Sequence, residues 1–234
     1  MQNTAEVVII GGGVHGCSIA YHLARKGYTD IVVLEKGYLA SGGTGRSAAG
    51  IRHQFGTEIN IRLAAESIKM MEQLQEELEY PYDLGFRQGG YMMLAYSQTQ
   101  LEQFESNVAL QNELVKAGSR ILSTQEVADI VPGINTQEGL LGASFNEKDG
   151  HIDPFHLTHA YAEAARRLGV HFYTQTEVVE VKTKGRRITA VATNRGDIQA
   201  PVVINAAGPN HFQHGRPGCA HVSRTPPDTG HRTC

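Results

Sequence analysis

Residues Val7–Gly37 read VVIIGGGVHGCSIAYHLARKGYTDIVVLEKG, and the order of elements in this stretch decides the fold. Val7–Ile10 is β-branched and apolar on both faces, which suits a strand in the middle of a parallel sheet. Glycines then break it. From Val14 to Lys26 the residues Cys17, Ala20, Tyr21 and Ala24 recur at spacings of three and four, so a helix follows, with Gly27 where a C-terminal cap is expected. Ile31–Leu34 is a second buried strand. The whole is a βαβ unit of about thirty residues, the length such a unit requires.

Inside that unit lies Gly11-x-Gly13-x-x-Gly16, with Glu35 nineteen residues beyond Gly16. Glycine clusters also make plain tight turns, but here the cluster follows a strand, opens a helix and is succeeded by a second strand ending in a carboxylate, the context of a dinucleotide site. Gly11 permits the turn, Gly13 lets the backbone approach a pyrophosphate, and Gly16 allows close packing of helix on strand, with the phosphates at the positive end of the helix. Glu35 is placed to accept hydrogen bonds from a ribose, which disfavours a 2′-phosphate and hence NADP. His15 is read as a variable position beside the phosphates and Cys17 as a core-facing residue of the first helical turn. A helix N-terminus lowers a thiol pKa, but no second cysteine lies nearby to support redox chemistry.

The chain has 234 residues, 41% hydrophobic and 19% charged, with a net charge of -3, which is ordinary globular composition. There is no basic excess to hold a phosphate backbone, so nucleic acid is not an expected partner. No run approaches the length of a membrane span. Three cysteines make no disulfide framework, which fits a reducing compartment and a cytoplasmic location.

Ser41–Gly50, SGGTGRSAAG, is a loop by composition. A helix is expected from about Thr57 to Glu79, its apolar stripe marked by Leu63 or Ala64, Ser67 or Ile68, Met71, Leu74 and Leu78, and ended by Pro81. Gly89–Ala95 reads as a strand and Ser97–Lys116 as a helix capped by Ser97. Ser123–Ile130 reads as a short helix, Leu140–Phe145 as a strand, and Pro154–Leu168 as a helix with Asp153 as its cap. Val178–Lys182, Ile188–Thr193 and Val202–Ile204 are strand-like, with turns at Lys184-Gly185 and Arg195-Gly196-Asp197.

A flavin dinucleotide extends further along a protein than NAD, and the second glycine-serine loop is suitably polar to line it; NAD stays as the alternative. VVIIGGGVHG, VVLEKG, SGGTGRSAAGIRHQFG, the helix after DPF, TEVVEV and VVINAAGP, in this order, resemble the D-amino-acid oxidase (DAO) family of FAD-dependent oxidoreductases, most similarly the β-subunits of sarcosine oxidase and of dye-linked proline dehydrogenase. The resemblance spans about residues 5–209. It implies an α/β fold, a Rossmann-like, doubly wound FAD/NAD(P)-binding sheet with an inserted, incomplete α+β substrate domain. It implies that Gly11, Gly13, Val14, His15 and Gly16 with Glu35 and Lys36 bind the ADP half of FAD. By the same resemblance Ser41, Gly43, Thr44 and Gly45 lie along the pyrophosphate and ribityl chain, Val178 meets adenine through its backbone, and Ala206, Ala207 and Gly208 form a later loop near the dinucleotide. The implied domains are residues 1–84 and 151–209 for FAD and 85–150 for substrate.

The activity implied is oxidation of the C–N bond of a small amino acid or secondary amine of the sarcosine, proline or glycine type, with glycine oxidase or a hydrogen cyanide synthase subunit as variants within the class. Partner subunits of a hetero-oligomeric oxidase or dehydrogenase are implied as well. A carboxylate-bearing substrate needs a planar bidentate cation. Arg52 and Arg46 are the candidates, with His53 setting charge nearby, and the alternative for either arginine is binding phosphate or pinning the loop. His151, His156 and His159 surround Asp153 but offer no third metal ligand and read as ordinary histidines. Pro154 stands where some relatives attach FMN through histidine.

From Asn210 to Cys234 there is no Leu, Ile, Met or Tyr, while four of the eleven histidines and two of the three cysteines fall there. Its His and Cys spacings match no common zinc pattern. The expectation is a disordered tail and a truncated or frame-shifted reading after NAAGP, with a non-catalytic fragment or bare dinucleotide-binding module as the competing outcome.

Overall fold

The computed structural model describes residues 1–209 and the backbone of Val222–Ser223. In chain order the elements are β1 (Val7–Ile10), α1 (Val14–Arg25), β2 (Ile31–Leu34), a 3-10 turn (Thr44–Arg46), β3 (Gly50–Ile51), α2 (Glu58–Glu77), β4 (Tyr91–Ala95), α3 (Gln98–Val115), β5 (Arg120–Leu122), α4 (Thr124–Ile130) and β6 (Gly142–Asn146). They continue with β7 (Gly150–His151), α5 (Pro154–Arg167), β8 (His171–Tyr173), β9 (Val178–Lys184), β10 (Arg187–Thr193), β11 (Gly196–Gln199), β12 (Val202–Asn205) and β13 (Val222–Ser223). They sort into two compact units.

The first unit holds residues 1–47, 78–82 and 154–234. Its sheet runs β13-β12-β1-β2-β8. β12, β1, β2 and β8 are parallel, with Val7 opposite both Val202 and Ile31, and β13 closes one edge antiparallel. Alternation along the strands sends Val8, Ile10, Val32, Leu34 and Val203 to a face covered by the antiparallel sheet β11-β10-β9, whose Val191 and Ile198 complete that core. Helices α1 and α5 pack on one another, with the Tyr21 and Tyr161 rings 5.8 Å apart, and Cys17 and Ala20 of α1 and Ala160 and Ala164 of α5 are buried. The alanines allow close helix approach. α1 ends at Arg25, and Gly27 takes φ +92° just beyond the Lys26 cap, a conformation that favours glycine.

The second unit holds residues 48–77 and 83–153. β6 lies between β4 and β5 in an antiparallel sheet, with Ala143 opposite both Leu94 and Leu122. Leu122, Val127, Leu140, Ala143 and Phe145 form its core. α3 starts on Ser97, whose hydroxyl accepts from the Gln100 amide, and α4 on a capping box between Ser123 and Glu126. Those bonds hold the Glu126 carboxyl below its ordinary range.

Several sequence expectations are corrected. Residues 48–77, placed with the dinucleotide domain by the 1–84 boundary, cluster instead with the second unit, because β3 pairs with β7 and α2 packs along α3. The buried stripe of α2 runs through Ile61, Ile68 and Leu74, whereas Leu63 is 64% exposed. β5, β8 and β11 form where no strand was expected: each is short, and in β8 the residues His171, Phe172 and Tyr173 show no two-residue alternation. Gly196 and Asp197, read as turn residues, begin β11, and the turn is Asn194-Arg195. The expected tail 210–234 lies outside the described residues except for β13, which pairs with Val203 and Ile204. Its His and Cys spacings lie there too.

A Cβ on Gly150 would stand 1.8 Å from the Arg87 carbonyl oxygen, while one on Gly89 would meet nothing within 4 Å. Gly150→Ala is therefore expected to cost about 1–3 kcal/mol in urea unfolding, as overpacking does, with Gly89→Ala close to neutral. Equal midpoints for the two variants would refute the close approach.

Candidate functional site

The turn between β1 and α1 is built by contacts that only glycine permits. Gly11 takes φ +109°, and a Cβ there would lie 2.5 Å from the Ala206 carbonyl oxygen. A Cβ on Gly16 would lie 1.9 Å from the Gly11 carbonyl oxygen. The loop after β12 is tied in by the Ala206 amide, which donates to the Ile10 carbonyl at 2.8 Å. Ala206, Gly11 and Gly16 are thus brought together.

Gly13 is different. Among the described residues a Cβ on it would meet within 4 Å only the Thr44 hydroxyl oxygen, at 3.1 Å, so this side of the helix start is uncrowded. Gly13 caps α1 without a side-chain bond, and no acidic residue sits in the first turn. The Val14 amide donates to Thr44 Oγ1 at 3.1 Å, which draws the Ser41–Gly45 loop to the helix N-terminus. The partial positive charge of that terminus is left for an anion.

Glu35 braces the same region. Oε2 accepts from the Gly12 amide and Oε1 from the Gly37 amide, both at 2.8 Å, and the Ser41 hydroxyl reaches Oε1 at 3.4 Å. A carboxylate has about four acceptor positions, so these bonds leave it capacity for a ribose hydroxyl. The Thr176 amide donates to the Glu35 carbonyl and the Gln175 amide to that of Gly37, which sets Val178, at the start of β9, two residues along from this bond. His15, Lys36, Gly43 and Gly208 are exposed. Arg46 is exposed too, and its Nη2 donates to the Ser41 carbonyl at 3.3 Å, the loop-pinning arrangement. Sequence reading missed Gly12, where a Cβ would meet Leu39 at 2.7 Å, although the unbroken run Gly11-Gly12-Gly13 carried the signal.

Cys17 is fully buried, and its thiol faces the Gly12 carbonyl at 3.7 Å. Burial pushes the thiol up to about 12; Arg166 opposes that shift and Glu35 adds to it. Desolvation outweighs the helix N-terminus, so this is a core residue and no nucleophile.

In the second unit Arg52 is half-buried, its guanidinium 5.6 Å from the Phe55 ring centre and 5.3 Å from that of Tyr91, with Nη1 3.8 Å from the Met93 sulfur. No carboxylate among the described residues pairs with it. His53 is buried, and its Nδ1 lies 2.7 Å from Asp149 Oδ1. Gln54 Nε2 donates to Asp149 Oδ2 at 3.0 Å, and Ser144 Oγ to Gln54 Oε1 at 2.6 Å. Asp149, Gln54 and Ser144 had not been singled out: nearly a hundred positions separate Asp149 from His53, and no local spacing marks such a pair.

His156 Nδ1 lies 3.1 Å from the Tyr80 hydroxyl. Among the described residues no group of three or more His, Cys, Asp or Glu is placed to hold a metal ion, and no helix is long and apolar enough to cross a membrane.

The profile of the FAD dependent oxidoreductases (DAO) matches residues 6–233, and the chain belongs to that family. FAD is the cofactor of the family, and the uncrowded helix start, the Thr44 hydroxyl and the glycine turn fit it. The chain is 36% identical to mitochondrial dimethylglycine dehydrogenase of Rattus norvegicus over 208 residues, 88% of this chain and 24% of that protein. It is 33% identical to the sarcosine oxidase subunit beta of Arthrobacter sp over 215 residues, 90% of this chain and 52% of that one. The crystal structure of L-proline dehydrogenase from P.horikoshii superposes with a TM-score of 0.81 at 33% identity, covering 89% of this chain and 54% of that chain. The chain therefore spans between about a quarter and about half of the relatives it matches.

Below pH 9.0, the unfolded thiol's value, the buried Cys17 thiol adds its full contribution to stability, and that contribution is lost as pH rises toward about 12. Iodoacetamide followed by peptide mapping should find Cys17 unmodified in the native chain near neutral pH and modified after unfolding. Rapid native alkylation of Cys17 would contradict its burial.

Proposed function

We propose that the chain carries the FAD site of an oxidoreductase acting on the C–N bond of a small amino acid or secondary amine of the sarcosine, proline or glycine type. The observation that carries the reading is the joining of two loops at the start of α1, where Thr44 accepts from the Val14 amide over the open side of Gly13. Gly11, Gly13, Val14, His15 and Gly16, with Glu35 and Lys36, are assigned to the ADP half. Ser41, Gly43, Thr44 and Gly45 are assigned to the pyrophosphate and ribityl chain, the Val178 backbone to adenine, and Ala206, Ala207 and Gly208 to the later loop. When bound, FAD supplies the two-electron acceptor, and the protein orients the substrate and sets the charge around it.

Arg52 is assigned to the substrate carboxylate. Its guanidinium lies over the Phe55 and Tyr91 rings and pairs with no acid among the described residues; Nη1 faces the Met93 sulfur, a weak acceptor that a carboxylate can replace. Arg46 serves the Ser41–Gly45 loop rather than the substrate, in keeping with its bond to the Ser41 carbonyl. Similarity to a sarcosine oxidase β-subunit supports assembly with other subunits. Cysteine usage supports a reducing compartment, and we assign the chain to the cytoplasm.

The test is an absorbance spectrum of the full chain after incubation with FAD and desalting, followed by anaerobic addition of sarcosine, proline or glycine. Retained flavin that bleaches with one of these amines is the expected result. No retained flavin in a chain shown by circular dichroism to be folded would overturn the cofactor assignment, and retention without bleaching by any amine would overturn the activity. Glu35→Ala removes two acceptors of charged hydrogen bonds and should loosen FAD about 10- to 100-fold.

A further inference from the structure

We propose that Asp149 is a positioning residue that holds Arg52 for its carboxylate ligand; this rests on the reading of Arg52 given above. Arg52 lies between two restraints. On its N-terminal side Gly50 and Ile51 pair with His151 and Gly150 in the two-stranded β3–β7 ladder. On its C-terminal side the next two residues, His53 and Gln54, both bond the Asp149 carboxylate, which is fully buried. Asp149 immediately precedes the strand that makes the first restraint, so one short segment, 149–151, grips the arginine from both sides.

The hydrogens in this network are fixed by its ends. Gln54 Nε2 donates to the Tyr91 carbonyl at 2.8 Å, and a carbonyl only accepts, so Nε2 is the amide nitrogen and its second hydrogen goes to Asp149 Oδ2. The Ser144 hydroxyl donates to the Gln54 carbonyl oxygen. Asp149 Oδ1 accepts the His53 backbone amide at 2.7 Å and lies 2.7 Å from Nδ1 of the same residue, which is the donor of that pair when Asp149 is a carboxylate. Each carboxylate oxygen is thereby satisfied by N–H donors, the condition for burying a polar group without a large penalty.

The same network reaches the two rings beside the guanidinium. Gln54 bonds the Tyr91 carbonyl, and the Tyr91 ring flanks Arg52; Phe55, the other flanking ring, directly follows Gln54. Loss of Asp149 frees the segment and both rings together. A bidentate cation is sensitive to this, because displacement by about 1 Å is enough to lower binding or rate by up to 100-fold.

The experiment follows the Arg52 Nε–H resonance of the full chain by 15N NMR, with the signal identified by its loss in Arg52→Lys and acetate as the carboxylate probe. Asp149→Asn is nearly isosteric but sets an amide donor against Gln54 or His53. Ser144→Ala is the milder variant, removing only the bond to Gln54 and keeping the test open where Asp149→Asn does not fold. Val127→Ala, in the same unit's core but outside the network, is the stability control. The expected result is saturable acetate binding in the unmodified chain, weakened about tenfold or more by Asp149→Asn and less by Ser144→Ala, with a lowered heteronuclear NOE at Arg52 Nε–H, and no such change in Val127→Ala. A resonance that ignores acetate in the unmodified chain overturns the carboxylate reading of Arg52 and this inference with it. Acetate binding and Arg52 order that persist unchanged in a folded Asp149→Asn, or in Ser144→Ala where Asp149→Asn is unfolded, overturn the positioning role alone.

Discussion

Helix α1 leaves the sheet at a distance that admits no side chain. The Gly11 carbonyl oxygen occupies the place a Cβ on residue 16 would take, and the Ala206 carbonyl blocks the Cβ of residue 11. This contact fixes three elements against each other: the end of β1, the first turn of α1 and the loop after β12. The site depends on it because the helix N-terminus is brought against the ends of β1 and β12. A helix packed through ordinary side chains stands about 10 Å off, so the glycine contact is what sets this terminus so near the strand ends.

Around that contact the unit uses backbone groups rather than charged side chains. The first turn of α1 holds no acid, and the two carboxylate oxygens that come nearest, those of Glu35, are already turned to the amides of Gly12 and Gly37. Glu35 is therefore a brace as well as the proposed ribose ligand. Its bond to Gly12 crosses from the end of β2 to the turn after β1, so the arrangement that offers acceptors to a ribose also keeps the phosphate turn in shape. The same closeness explains Cys17. A thiol in the first helical turn would be acidified by the terminus, but here it is sealed beneath Gly12 and kept neutral by burial.

What was legible in the sequence was what local chemistry encodes. β1 and β2 fall on Val7–Ile10 and Ile31–Leu34, where runs of β-branched residues leave no other reading, and Ser97 and Ser123 mark their helix starts by a bond made within three residues. Glu35, Thr44 and Ala206 were legible as a set through the order of the motifs. What was not legible rests on distant partners. β8 is a strand because β2 offers it an edge, not because His171–Tyr173 has the pattern of one. The phase of α2 was ambiguous between Leu63 and Ala64, since the helix carries apolar residues on more than one face, and only its packing along α3 decides which are covered. The Asp149 network joins the segment after β3, strand β6 and the turn before β7, and no spacing rule reaches across them.

The two units handle negative charge by opposite means. In the first, the proposed anion site is a helix end, and the side chains nearby are small so that backbone can approach. In the second, the proposed carboxylate ligand is a single guanidinium lying over two aromatic rings, and the acid that stabilises its surroundings bonds its neighbours rather than itself. That separation matters physically. Had Asp149 paired with Arg52 directly, a buried ion pair would have formed, and a substrate carboxylate would have to displace it at the cost of leaving a charge unpaired. By taking amide and imidazole N–H groups instead, Asp149 rigidifies the segment and leaves the arginine's charge uncompensated within the unit. An uncompensated, well-placed cation is what a small anionic substrate needs, because its own carboxylate then supplies the missing partner.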